Sequence, residues 1–186
     1  MVTAVQRPAI QPSNPSPSSL KAWLENPIEG TEWVENQLIE KDGMTLTHSK
    51  VQRRLSTAWA VHQAKQKLGG EVYTEAPCNT GQQGRKPDVS YLTQDLLERY
   101  GATKSLPQSF PLSAEIVSPF DYAESVYRKA DEYLASGGEE VWLVLPTNQR
   151  IVVITAESEQ TFRFHELVKT QILLPGFSIG VDELLS

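Results

Sequence analysis

Cysteine is almost missing from this chain: Cys78 stands alone among 186 residues. One thiol cannot close an internal disulfide and cannot build a thiolate zinc site, and a lone cysteine fits a reducing compartment. Histidine is scarce too. His48, His62 and His165 are scattered without the spacing of zinc ligands. No apolar run approaches the ~20 residues needed to cross a bilayer, and the segment from Met1 to Ser19 lacks the apolar centre of a signal peptide. A cytoplasmic protein with no membrane partner is the expectation. Positive charge is also in short supply. The formal net charge is −6, a mild argument against nucleic-acid binding as a property of the whole surface. Its distribution softens that argument, because the stretch from Lys50 to Lys86 carries +5 and the rest of the chain −11. A basic strip on an acidic body can still meet phosphate, although a solvated helix face gives the same pattern.

What is present suits one ordinary domain, for which ~100–200 residues suffice. Residues 1–19 are rich in proline and serine, show no periodicity and read as a flexible tail. Residues 20–186 read as the domain. A short helix is expected over Leu20–Glu25, ended by Pro27 and Gly30. Two short strands, Glu32–Asn36 and Gln37–Lys41, should flank a tight turn, with the turn dipeptide Asp42-Gly43 after them. Thr45–Leu68 is the longest helical candidate, with Val51, Leu55, Ala58, Trp59 and His62 on one stripe and Gly69-Gly70 as its stop.

Strands are expected at Glu71–Ala76, Pro87–Leu92 and Leu112–Val117, with Asn79–Gly84 as a polar loop and a short helix over Leu96–Gly101. Tyr122–Ala135 is a second amphipathic helix. Its stripe holds Tyr122, Val126, Ala130, Tyr133 and Leu134, Asp121 is placed to cap it, and Gly137-Gly138 ends it. Val141–Leu145 and Ile151–Thr155 form a buried hairpin, followed by shorter strands at Thr161–Phe164 and Phe177–Ile179. This order describes a mixed α/β fold, a central sheet with a helix packed on each side.

Two carboxylates stand out. Asp88 follows Pro87 at a strand start, and Glu115 lies inside the next long strand. A carboxylate within a sheet is costly unless it is paired, hydrogen-bonded or bound to metal. Two of them on neighbouring strands repel unless a cation lies between them. Oxygen ligands of this kind suit Mg²⁺ or Mn²⁺.

Pro87-Asp88 followed by Glu115-Ile116-Val117 resembles the PD-(D/E)XK nuclease pattern with its final position changed. Wider landmarks occur in order. They are Met44-Thr45 with His48, Pro87-Asp88-Val89, Glu115-Ile116-Val117-Ser118-Pro119 with Asp121, Lys129 with Tyr133, and Gly138 with Val141-Trp142-Leu143-Val144. From about Leu20 to the C-terminus the chain resembles the Uma-two family of restriction-endonuclease-like proteins. The resemblance implies a restriction-endonuclease-like central mixed β-sheet flanked by helices, and a Mg²⁺- or Mn²⁺-dependent site acting on DNA. Asp88 and Glu115 would be its metal ligands and catalytic carboxylates, the backbone carbonyl of Ile116 a further ligand, and Glu75 an outer one. A homodimer is an assembly that the same resemblance allows.

The pattern's lysine, two residues after the glutamate, is replaced here by Val117. Lys129 is its natural substitute, because it borders the apolar stripe of the second helix beside Tyr122 and Tyr133, whereas Arg128 and Glu132 lie away from it. A snorkelling lysine over apolar surface accounts for the same position. His48, Gln52 and Lys86 are candidates for substrate contact; a helix N-terminal residue and a solvated lysine are the plainer accounts of the first and last. Asp121 reads as a helix cap rather than a ligand. Two functions remain open: a metal-dependent endodeoxyribonuclease, or a nuclease fold that has lost catalysis and serves as a binding module.

Overall fold

The computed structural model describes residues 16–41, 45–119 and 121–186. The expected tail up to residue 15, the Asp42-Gly43 turn and Met44 lie outside the described residues. The Ser19 hydroxyl accepts the Ala22 N–H (3.2 Å) and caps helix α1, Leu20–Glu25. Strands β1 (Thr31–Val34) and β2 (Gln37–Glu40) form an antiparallel hairpin. Glu35 and Asn36 join them with both φ angles positive, as a two-residue turn between twisted strands demands.

Thr45 caps the long helix α2, Leu46–Gln66, by accepting the His48 N–H (3.1 Å). Its end differs from expectation. Lys67, rather than a glycine, takes the left-handed cap conformation, and the Gln63 amide then ties the turn to the Gly69 carbonyl (2.8 Å). Gly70 is needed for another reason: a Cβ there would lie 2.2 Å from the Leu92 carbonyl oxygen.

The chain continues through β3 (Glu71–Tyr73), β4 (Cys78–Asn79), β5 (Gly84–Arg85), β6 (Val89–Leu92), α3 (Gln94–Tyr100) and β7 (Leu112–Ile116). Then come α4 (Ala123–Ala135), β8 (Glu140–Leu145), β9 (Arg150–Thr155), β10 (Glu159–Arg163), β11 (Leu167–Lys169), β12 (Ser178–Gly180) and α5 (Val181–Leu185). The expected polar loop at 79–84 is partly paired, since Asn79 and Gly84 are register partners. Gly84 permits this by running under Trp23, where a Cβ would meet the indole at 2.5 Å.

Six strands form the central sheet in the order β10-β9-β8-β7-β6-β3. Only the β7–β8 pair in it is parallel, and α4 is its crossover. A second sheet has the order β2-β1-β5-β4, and β11 pairs with β12. This is the mixed α/β architecture expected, with a helix on each sheet face. On one face Val51, Leu55 and Trp59 of α2 pack with Val89, Tyr91, Leu112, Ala114 and Trp142. There Trp59 meets Trp142 edge to face at 5.6 Å. On the other face Ala130 and Tyr133 of α4 pack with Val141, Leu143 and Val152. Among the described residues no helix is long and apolar enough to cross a membrane.

Two expectations about α4 need correction. Tyr122 occupies the cap position without a side-chain cap bond, while the Asp121 carboxylate accepts the Ser118 N–H (2.7 Å) and so holds the preceding turn. Tyr122 is 81% exposed rather than part of the stripe, because it precedes the first helical turn.

Glu140 is a fully buried carboxylate. Its Oε1 accepts the Trp142 indole N–H (2.7 Å), and its Oε2 accepts the backbone N–H groups of Gln171 (2.9 Å) and Ile172 (2.8 Å). These bonds fasten the loop after β11 to the central sheet. Glu140→Ala leaves the buried Trp142 indole N–H and the partly buried backbone N–H groups of Gln171, Ile172 and Leu173 without their acceptor, so it should lower stability by about 3 kcal/mol, read from the urea midpoint at unchanged slope. A loss under about 1 kcal/mol would mean that Leu173 and Leu174 hold the loop by packing alone.

Candidate active site

The two predicted carboxylates are neighbours on one sheet. Val89 pairs with Ala114 in antiparallel register, so Asp88 and Glu115 stand opposite each other one step further along. Asp88 is 2% exposed and Glu115 8%. Their surroundings come from six separate elements, and several of the residues involved were not suggested by the sequence.

Asp88 faces two ways. Its Oδ2 accepts the Ile116 N–H (2.7 Å), which joins β6 to β7, and its Oδ1 accepts the Lys41 ammonium (3.0 Å) from the end of β2. The N–H and C=O of a strand residue point to the same side, so the Ile116 carbonyl also faces Asp88. Lys41 further donates to Glu75 Oε2 (2.7 Å) and to the Lys86 carbonyl (2.9 Å). Gln52, one turn into α2 from His48, donates to Glu75 Oε1 (3.2 Å) and to the Asp88 carbonyl (2.9 Å). Glu75 was expected on a strand. It lies instead on a bend after β3 with φ 54, a left-handed conformation that costs a non-glycine residue about 1–2 kcal/mol.

His48 Nε2 lies 3.3 Å from Asp88 Oδ2, yet it is buried and off the line of a hydrogen bond. One ligand atom each from His48, Glu75 and Asp88 falls within 4.8 Å of the others. This is the one such group of metal-ligating side chains among the described residues, and Glu115 is not in it.

Glu115 is held from the opposite side. Its Oε1 accepts the Tyr133 hydroxyl (2.5 Å) and its Oε2 the Lys129 ammonium (3.0 Å), both from α4. Lys129 sits equally close to Glu32 Oε1 of β1 (3.0 Å). Glu32 also receives Arg85 (3.1 Å) and the Lys86 N–H (3.0 Å), and Arg85 makes a two-point contact with Glu132 at 2.7 and 2.8 Å. Glu132 was expected to point away from the sheet. The guanidinium draws it inward.

Five carboxylates (Glu32, Glu75, Asp88, Glu115, Glu132) thus face three cations (Lys41, Arg85, Lys129), so the carboxylates outnumber the permanent cations by two. The titration of the groups reflects this. Burial pushes Glu115 up to about 7, and Asp88 adds to that, although Lys129 opposes it. Burial would also raise Glu32, but Lys129 and Arg85 overcome it and bring it down to about 2. Asp88 is held well below the usual carboxylate range against its own burial, by His48 and Lys41. Lys41 and Lys129 are both raised: burial opposes their charge, and the surrounding carboxylates prevail.

The other candidates are placed differently. Lys86 donates to the Ile28 carbonyl (2.7 Å) and lies over the Trp23 ring, so its head is already occupied. Arg85 and Lys86 are buried, and Arg54 reaches the Glu183 and Leu184 carbonyls near the C-terminus. The basic stretch read from the sequence is therefore not one exposed strip. Glu32, Lys41 and Arg85 were missed because they sit on short strands where a charged residue looks solvated. The burial of Thr31, Glu32 and Trp33 in succession has no period that would mark one of them as inward.

An oxygen-rich group with an imidazole nitrogen beside it and more carboxylates than cations suits a hard divalent cation. The ammonium of Lys41, surrounded by three oxygens, already shows that the position accepts positive charge. Two cavities among the described residues, about 480 and 220 Å³, are lined by none of these side chains.

A family model, Uma2, described as "Putative restriction endonuclease", matches residues 17–182. The fold is similar to a solved structure described as "a putative nuclease belonging to DUF820" from Anabaena variabilis ATCC 29413. The TM-score is 0.79 at 20% identity, over 90% of this chain and 97% of that one. No curated protein matches the sequence.

A carboxyl raised on folding binds a proton that the unfolded chain has lost. Its contribution is most favourable below pH 4.5 and declines as pH rises to about 7. With EDTA present, the stability of wild type relative to Glu115→Gln should fall by a few kcal/mol across that window. A flat difference in urea unfolding would show that Lys129 keeps Glu115 ionised throughout.

Proposed function

Given that this chain belongs to the Uma2 family, we propose that it is a divalent-metal-dependent endonuclease that hydrolyses phosphodiester bonds of DNA. The observation that carries this reading is the buried Asp88–Glu115 pair with the Lys129 ammonium 3.0 Å from Glu115. The lysine absent at Val117 is thereby replaced in space by one from α4.

Asp88 is shared by both halves of the site. With Glu75 and His48 it would hold Mg²⁺ or Mn²⁺, and Glu115 and the Ile116 carbonyl flank it on the β7 side. A bound ion of this kind polarises a phosphodiester and lowers the pKa of water. The chain's own groups do the rest. Lys129 keeps its proton and sets a fixed positive charge beside Glu115, where negative charge growing on a phosphate needs compensation. Burial raises the Glu115 carboxyl in the metal-free site, and a divalent ion bound beside it would favour the ionised form that can accept a proton from water. Tyr133 fixes one Glu115 oxygen and leaves the other facing Lys129. Gln52 acts as a positioning residue, since its amide bonds both Glu75 and the Asp88 backbone. The lone Cys78, fully buried and reduced, is in keeping with a cytoplasmic protein.

Supercoiled plasmid incubated with Mg²⁺ or Mn²⁺ should be nicked by wild type. Asp88→Asn, Glu115→Gln and Lys129→Met should each reduce the rate at least about a hundredfold, the scale of losing one charge-stabilising or proton-transferring group. Nicking that survives all three changes would place the chemistry elsewhere. Metal binding without nicking would favour a binding module that kept the fold and lost turnover.

A further inference from the structure

A lysine ammonium already holds one oxygen of each carboxylate in the proposed metal-ligating group. Lys41 Nζ lies 2.7 Å from Glu75 Oε2, 3.0 Å from Asp88 Oδ1 and 2.9 Å from the Lys86 carbonyl oxygen. Two of those oxygens belong to residues that, with His48, make up the metal-ligating group. An ammonium and a divalent ion held by the same two carboxylates would stand a few ångströms apart and repel each other strongly. We propose that Lys41 is an internal counter-cation of the metal-free site, and that metal entry requires its ammonium to leave Glu75 and Asp88. This rests on the metal reading given above and adds a regulation of the same site.

The surroundings make the exchange local. The Lys41 backbone is fixed, because its N–H donates to the Gly30 carbonyl (2.8 Å) and the adjoining β2 is paired along β1. A four-carbon stem on a pinned backbone can swing its head through several ångströms by rotamer change alone. The ligands stay behind. Glu75 is kept by Gln52 and Asp88 by the Ile116 N–H, so the nest holds its shape when the ammonium departs. His48 Nε2, 3.3 Å from Asp88 Oδ2 but out of line for a hydrogen bond, stands beside the same carboxylate and stays in reach of a cation that takes the lysine's place. Lys129 differs in this respect. Its carboxylates, Glu32 and Glu115, lie outside the His48–Glu75–Asp88 group, so it has no reason to move with the metal.

The exchange can be read without any measurement of activity. The full-length wild type is labelled with an amine-reactive acetylating reagent, in EDTA and in saturating Mn²⁺, and modification of each lysine is followed by mass spectrometry. Lys41 should react slowly in EDTA and at least about tenfold faster in Mn²⁺, while Lys129 stays protected in both. In parallel, Mn²⁺ binding is titrated calorimetrically to wild type and to Lys41→Met, which should bind about tenfold more tightly. If wild type binds Mn²⁺ and Lys41 labelling does not rise, the exchange is overturned and the metal reading survives. If neither protein binds Mn²⁺, both fall. Tighter binding by Lys41→Met without a rise in wild-type labelling also overturns the exchange, since removing a nearby charge is enough to produce it.

Discussion

A carboxylate taken out of water must find positive charge or hydrogen-bond donors, and five of them share one corner of this fold. That requirement shapes how the elements meet. Lys129 bridges β1 and β7 from α4, Arg85 bridges β1 and α4 from β5, and Lys41 joins the end of β2 to the bend at Glu75 and to Asp88. The smaller sheet is therefore fastened to the central one by buried charge as well as by Cys78 of β4, which packs into the apolar core on the α4 face. Such ion pairs are poor sources of net stability, because their mutual attraction barely offsets desolvation. Apolar replacements would have made a firmer joint. A structure that keeps the charges retains them for what they do together, and what they do is hold more carboxylates than cations inside a protein.

The two faces of the central sheet divide the work. The α2 face is apolar and aromatic, and the Trp59–Trp142 contact gives the sheet a rigid floor. The α4 face carries Glu115, with Lys129 and Tyr133 delivered one turn apart by the same helix. A helix that is also the crossover of the single parallel strand pair has little freedom to slide. The position of Lys129 relative to Glu115 is thus set by chain topology as well as by their ion pair.

Much of this could be read in the residues. Period-two alternation placed Leu112, Ala114 and Ile116 on one face and Glu115 on the other, and helical spacing put Lys129 at the edge of the α4 stripe. Those are local rules, and they held where the elements were long. They failed for residues whose partners are distant. Glu32 and Lys41 sit on four-residue strands or at their ends, and nothing within the window of a short strand reveals that Lys129 and Asp88 will come to meet them. Asp121 looked like a cap because capping chemistry and turn chemistry use the same side chain, and only the backbone decides between them. Lys86 looked free because its acceptor, the Ile28 carbonyl, is 58 positions away.

The hairpin of β1 and β2 has a consequence for the order in which the protein can be made. Its Glu32 and Lys41 leave the ribosome before Asp88, and long before Lys129 at the far side of the network. Domains fold as units while synthesis proceeds at about 5–20 residues per second, so the hairpin waits several seconds for its counter-ions. During that wait its charges are hydrated and cost nothing. They become a burden only on burial, and burial is favourable only once α4 has arrived. The same charges that define the site thus discourage the nascent N-terminal third from collapsing early into a compact shape of its own.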